Sequence, residues 1–407
     1  MKLVFNDPLF SFQTLRVIGS SYYGGADIGE CLSTANRIKE GDFESWYTEW
    51  HSTANRIQKY ADECNSLKHT VSACQSYLRA SSYYRAAEFF LHENPNDSRI
   101  LDTWQDSVDT FKKAARLFTH NFKEIEIPYE GTTIPGYFYT PSEEIAGSNK
   151  EILRPTLIVH TGFDGTQEEL YFQSVIAALQ RGYNCITFEG PGQGRVIRKQ
   201  KIPFRYDWEK VVKPVIDYVL NGLEGINPNK LALMGISLGG YLAARAAAFE
   251  DRLSACILND GVYDVFESFI GPYRKTSLES IITSNNADLI NVALSVTMGM
   301  NLSARWAYAH GMWAFGVNTP FELVQKTLDY NLKGISEKIK CPTLVMEAEQ
   351  DENFPGQPKM VYDSLRCNSK KYLKFTEEEG AEDHCHIAAL SLANQRVLDW
   401  LDETMKI

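Results

Sequence analysis

The spacing of apolar positions divides the chain near residue 124. Before it, apolar and aromatic residues recur at three- and four-residue intervals, the repeat of helices with one buried face. Ser72–Leu91 (SACQSYLRASSYYRAAEFFL) keeps this repeat without Pro or Gly, and Asp102–Phe122 repeats it after the turn Asn94-Pro95-Asn96-Asp97. Beyond it, Glu124–Tyr129 and Thr133–Tyr139 read as a hairpin across Glu130-Gly131-Thr132. Short, wholly apolar runs then alternate with amphipathic stretches. The expected strands are Thr156–His160, Asn184–Phe188, Lys230–Gly235, Ala255–Leu258, Pro342–Met346 and Lys371–Phe375. The expected helices are Glu168–Arg181, Trp208–Leu223, Leu238–Phe249, Lys359–Arg366 and Ile387–Met405. Strands apolar on both faces and spaced by helices imply an α/β fold: a mostly parallel central sheet with helices on both faces. The alternation lapses over 263–340, a helix-leaning stretch rich in Trp, Tyr, Phe and Met. The expected organisation is an N-terminal helical cap, 1–122, and a catalytic domain, 123–407, with a cap insertion at 263–340.

Composition narrows the function. The 407 residues are 44% apolar and 12% aromatic, enough for a large core, and the net charge is −11. There is no basic stripe for nucleic acid and no apolar run approaching the roughly 20 residues of a membrane span. No secretory leader is evident at Met1–Ser20. The eight cysteines are scattered without a CxxC pair, as expected of free thiols in a reducing compartment. These features suit a cytoplasmic protein acting on a small molecule, with no nucleic-acid or membrane partner; a homodimer stays open.

Gly235-Ile236-Ser237-Leu238-Gly239 joins a strand to a helix. A nucleophilic serine needs such a turn, which lifts its hydroxyl above the sheet and leaves the Leu238 N–H free to hold an oxyanion. Serine needs a base, and the base an orienting acid. Asp351 follows the strand PTLVMEAE, while Asp260, Asp264 and Glu349 are rivals for the acid. In Asp383-His384-Cys385-His386, His384 is preferred as base because His386 lies nearer the helix start and can simply pack. A metal site of His384, Cys385 and His386 lacks a distant ligand cluster, so no metal or cofactor is expected. The loop His160–Gly165 can supply a second oxyanion N–H from Phe163 or Gly162. Glu189–Gly194 (EGPGQG) lacks the G-x-G-x-x-G spacing of a dinucleotide loop and reads as a tight turn near the site. Trp306, Tyr308, His310, Trp313, Phe315, Tyr83, Tyr84 and Arg85 can line an aromatic pocket or pack helices.

The ordered motifs HTGFDGT, FEGPGQG, GISLGG, EAEQD and DHCH resemble the α/β-hydrolase superfamily from about Thr133 to the end. With Tyr22–Asp27 (YYGGAD), Ser45–Trp50 (SWYTEW), Tyr77–Leu91 and FPGQP after Asp351, nearly the whole chain resembles a subgroup with an N-terminal helical cap. That subgroup includes fungal polyketide-shortening hydrolases of the melanin pathway and the bacterial 2,6-dihydropseudooxynicotine hydrolase. The resemblance implies a triad of Ser237, Asp351 and His384 and hydrolysis of a C–C bond next to a carbonyl. It also implies an acidic residue after the strand that follows the nucleophile helix, near Glu267. A carboxylesterase, lactonase, peptidase or acyltransferase would use the same triad, and a non-catalytic scaffold would need none of it.

Overall fold

The computed structural model describes residues 3–142, 153–284 and 286–407. Five α-helices open the chain: α1 (Pro8–Gly19), α2 (Ile28–Ala35), α3 (Phe43–Ser66), α4 (Thr70–Glu88) and α5 (Arg99–Ala115). Asp7, Asp27 and Asp42 cap the first three, each accepting a backbone N–H of the first turn. On α5 the buried positions Ile100, Trp104, Val108, Phe111 and Ala115 form the expected single stripe. On α4 burial extends around the helix, since it is sandwiched between α3 and α5. Its small Ala and Ser residues let those neighbours approach, and Trp46 and Trp50 of α3 are fully enclosed. The helices end at Ala115 and the first strand begins at Asn121, so the pattern read as helix to Phe122 runs past the true end.

Eight strands form one sheet in the order β1-β2-β4-β3-β5-β6-β7-β8. They are β1 (Asn121–Tyr129), β2 (Thr132–Thr140), β3 (Arg154–His160), β4 (Asn184–Phe188), β5 (Ile226–Ile236), β6 (Ala255–Asn259), β7 (Thr343–Ala348) and β8 (Lys370–Phe375). The pairings of β1 with β2 and of β2 with β4 are antiparallel, and β3 to β8 pair in parallel. Glu130 and Gly131, both at positive φ, make the tight turn of the β1–β2 hairpin. All residues of β4 and β6 are buried, as a sheet covered on both faces requires. Burial of each large aliphatic side chain, such as Leu233, Ile257 or Val215, contributes roughly 1.5–3 kcal/mol.

The stretch after β6 holds five α-helices, Val265–Ile270, Ser277–Ile282, Ala287–Met300, Leu302–Phe315 and Pro320–Thr327. They pack at the carboxyl ends of the parallel strands, where an open α/β sheet places its ligand site. The helix Leu302–Phe315 also meets the N-terminal helices: Trp306 stacks on Phe89 at 4.2 Å and donates to its carbonyl oxygen at 2.9 Å. Helix α1 packs against the segment that follows β8. A side chain at Gly19 would lie 1.7 Å from the carbonyl oxygen of Ile387, so only glycine lets α1 rest on the segment after His384. All eight cysteines are unpaired. Among the described residues, no helix is long and apolar enough to cross a membrane.

Candidate active site

The turn between β5 and the helix Gly239–Ala247 holds Ser237 at φ +62°, a left-handed conformation that is costly for a non-glycine residue. Its neighbours make the turn feasible. A Cβ at Gly235 would sit 1.9 Å from the carbonyl oxygen of Gly239. The Ser237 N–H donates to the Asn259 carbonyl at the end of β6, and its own carbonyl accepts from Gly240 N at 2.8 Å. The hydroxyl is thereby aimed away from the sheet, at the start of a helix whose first N–H groups lack intrahelical partners.

His384 arrives from the other side, on the tight turn His384–His386 after β8, in which Cys385 and His386 take positive φ. Its Nε2 lies 2.9 Å from Ser237 Oγ. Its Nδ1 lies 2.9 Å from Asp351 Oδ2, just beyond β7, and 2.9 Å from Asp260 Oδ2, just beyond β6. A network in which Nε2 accepts the serine proton puts the ring hydrogen on Nδ1, facing both carboxyl groups. Asp351 also accepts from Asn353 N at 2.8 Å. Burial opposes its charge, but His384 and these hydrogen bonds hold it below the usual carboxylate range. Burial likewise opposes the charged imidazole, yet Asp351 keeps His384 well above the usual histidine value. Burial, and then the Asp351 charge, push Asp260 upward.

The other sequence candidates for acid and base have different work. Asp264 caps the helix Val265–Ile270 and holds Asn331, and Glu349 pairs with Lys374 at 2.9 Å. His386 is fully buried, bonded to the Ala381 carbonyl and packed on Phe375 with ring centroids 4.0 Å apart. Potential metal ligands gather as Asp260, His384 and Cys385, within 4.8 Å of one another, rather than as the sequence-adjacent trio with His386. They suit a cation poorly. Both His384 nitrogens are engaged, and burial pushes the Cys385 thiol up to about 12, so it stays protonated.

The loop after β3 closes the site. A Cβ at Gly162 would lie 2.6 Å from both Leu238 N and Ile236 O, so this loop rests directly on the Ser237 turn. Phe163 follows, where the sequence reading placed an oxyanion donor. The loop is tied down from three sides. Gln193 of the EGPGQG turn donates to the Thr161 carbonyl at 2.7 Å. His310 Nε2 lies 2.9 Å from the Phe163 carbonyl oxygen. Arg16 of α1 reaches Asp164 at 3.0 Å and Glu169 at 2.6 Å, with Arg85 of α4 beside them. Burial opposes the Asp164 charge, but Arg16 and Arg85 keep it far below the usual range.

Several residues expected to meet substrate are used otherwise. Tyr84 is 1% exposed, and its hydroxyl bonds Asn55 at 2.8 Å and Gln58 at 2.6 Å, tying α4 to α3. His310 is equally enclosed, with Nδ1 2.9 Å from His92 Nδ1; burial and then His92 depress it to about 3. Trp313 packs beside His92 at 5.0 Å and the Arg198 guanidinium. Glu267 forms a half-exposed fork with Arg274, 3.1 Å at Nε. Two aromatic residues that sequence reasoning missed flank His384: Phe12 of α1, 6.2 Å from its ring, and Phe354, at 5.5 Å. Phe354 lies in the quoted FPGQP motif, whereas nothing local to Phe12 distinguishes it from a core residue.

Comparison with known proteins agrees with this architecture. Residues 155–384 match the family described as alpha/beta hydrolase fold. Hydrolase LUC6 of Fusarium sp is 38% identical, the match spanning 100% of this chain and 99% of the relative. The 20-hydroxy-prefusarin hydrolase FUS2 of Gibberella moniliformis is 37% identical over 100% and 99%. Among solved structures, a 2,6-dihydroxy-pseudo-oxynicotine hydrolase superposes with a TM-score of 0.73 at 23% identity, covering 95% of each chain. With a sheet of this topology, a family match over more than half its length and full-length hydrolase relatives, the chain belongs to the α/β-hydrolase family of enzymes.

Proposed function

We propose that the protein is a serine hydrolase that cleaves a C–C bond beside a carbonyl in a small polyketide-like or β-dicarbonyl molecule. The observation that carries the reading is the unbroken chain Ser237 Oγ, His384 Nε2, His384 Nδ1 and Asp351 Oδ2, with each contact at 2.9 Å. His384 takes the Ser237 proton as the oxygen attacks the carbonyl carbon. Asp351 fixes the imidazole tautomer and balances its charge. The backbone N–H groups of Leu238 and Phe163 hold the oxyanion. When the tetrahedral intermediate collapses, the C–C bond breaks and His384 returns the proton to the carbon leaving group. Water, deprotonated by His384, then releases the acid from Ser237.

A carbon leaving group departs readily only if its charge is delocalised, as in the enolate of a β-dicarbonyl compound. Phe12 and Phe354 beside His384 suit a flat, unsaturated molecule. The 20-hydroxy-prefusarin hydrolase relative supports an elaborated natural product over a simple ester. Incubation with a β-diketone and with p-nitrophenyl acetate, followed by product analysis, tests the proposal. Carboxylic acid plus ketone from the diketone is the expected result; turnover of the ester alone would sink the C–C assignment and leave an esterase. Fluorophosphonate labelling that survives in Ser237→Ala would remove the nucleophile itself.

A further inference from the structure

We infer that Asp260 is a second orienting carboxyl of the base: it shares the His384 Nδ1 hydrogen with Asp351 and takes over its place when Asp351 cannot carry charge. The inference rests on the triad reading above.

The geometry is symmetrical where an ordinary triad is not. Oδ2 of each aspartate lies 2.9 Å from the same ring nitrogen, one arriving from the end of β6 and the other from the end of β7. Two carboxylates so close cannot both be charged in a site closed to water; one keeps a proton. The surroundings decide which. Asp351 accepts a backbone N–H from Asn353 and is slightly open to solvent, at 8% exposure. Asp260 is completely enclosed, and its Oδ1 has no hydrogen-bond partner. Its other titratable neighbours are the Cys385 thiol, 3.6 Å from Oδ2, the His384 ring and buried His386. None of these is a fixed cation. The proton therefore belongs on Asp260, which leaves Asp351 as the charged partner of the ring.

This arrangement has a consequence that a packing role lacks. With Asp351 ionised, neutral Asp260 helps only to hold the imidazole, and an isosteric amide can do nearly the same. With Asp351 replaced by a neutral residue, the like charge that kept Asp260 protonated is gone. Asp260 can then give up its proton and accept the Nδ1 hydrogen as a carboxylate. Asp260 is thus a positioning residue whose importance depends on the state of its neighbour.

A double-mutant cycle of isosteric amides, read by p-nitrophenyl acetate hydrolysis with the full chain, tests it. In an ordinary triad the Asp→Asn change costs ~10⁴ in kcat. Here Asp351→Asn is expected to cost only ~10², Asp260→Asn alone a few-fold, and the pair together ~10⁴, with KM changing little because the pair acts on proton transfer rather than binding. If Asp351→Asn alone loses the full ~10⁴, or if Asp260→Asn costs the same in both backgrounds, Asp260 merely packs and the inference falls. Should Asp260→Asn fail to fold, Asp260→Ser carries the same arm of the cycle. Ser237→Ala separates the two readings: turnover that persists there overturns the triad, whereas a silent Ser237→Ala with an additive cycle overturns only the role of Asp260.

Discussion

Two buried charged clusters face each other across the loop that follows β3, and they are built on opposite principles. The Arg16, Arg85, Asp164 and Glu169 group balances two guanidinium groups against two carboxylates. Every charge has an opposite neighbour, so the group is an electrostatic lock joining α1 and α4 to the loop. At the His384 group, two carboxyls converge on one imidazole and no guanidinium or ammonium group is supplied. A site that must create and neutralise a positive charge in each cycle needs that imbalance, and a lock must avoid it. The lock holds the loop that touches the nucleophile turn. Stability on one side of the loop thus sets geometry on the other.

The contrast can be broken from either side. The largest effect is expected from Ser237→Ala, which removes the proposed nucleophile: kcat falls by about 10⁶, with the melting temperature nearly unchanged. A stopped assay with p-nitrophenyl acetate, paired with a thermal melt, checks both halves. Arg16→Ala should do the reverse. It leaves Asp164 and Glu169 with Arg85 alone, and removing one partner of a buried ion pair costs about 3–5 kcal/mol, visible as a lower denaturation midpoint in urea. An unchanged midpoint would mean the cluster locks nothing. Gly162→Ala probes the boundary, since its methyl would press on Leu238 N. Displacing an oxyanion donor costs about 10²–10³ in kcat, so steady-state rates should fall by that factor, with a lower urea midpoint because the methyl meets backbone rather than a mobile side chain.

The smallest effect concerns pH. Glu168, buried beside Glu189 and bonded to Tyr137 at 2.7 Å, is raised to about 7 by burial and then by the Glu189 charge. A carboxyl raised in the folded state binds a proton that the unfolded chain has released. Its contribution is present at acid pH and is lost as pH climbs from the ordinary Glu value through about 7. Glu168→Gln should flatten that decline, raising the melting temperature at pH 8 more than at pH 5. A parallel offset at both pH values would show that Glu168 does not carry the proton.

The strand–helix alternation was legible because burial on both faces of a parallel sheet leaves unbroken apolar runs, and β4 coincides with its run, Asn184–Phe188. The end of α5 was not legible: Phe118 and Phe122 continue the apolar rhythm, but they stack against Phe111 and Tyr171 from outside the helix. Ser237 and His384 stood out because nucleophile turns and late histidines carry local marks. Asp351 was the preferred acid, but its rival Asp260 also follows a strand and also reaches Nδ1. His310 and Tyr84 looked like pocket walls, yet aromatic spacing on a helix does not say whether the ring meets solvent or another helix.

By itself, the sequence determined that this is an α/β-hydrolase with a helical N-terminal third, and it singled out one serine and one histidine as candidates for the chemistry. These are local properties: periodicity, turn chemistry and motif order. Only the tertiary structure decided that two aspartates share one imidazole nitrogen, that Phe12 of the first helix flanks the base, and that Arg16 anchors the loop beside the nucleophile. Apart from the Asp351–His384 contact, they join residues more than 120 positions apart. They exist because neighbouring parallel strands end at one edge of the sheet, and chain spacing carries no record of which loops converge there.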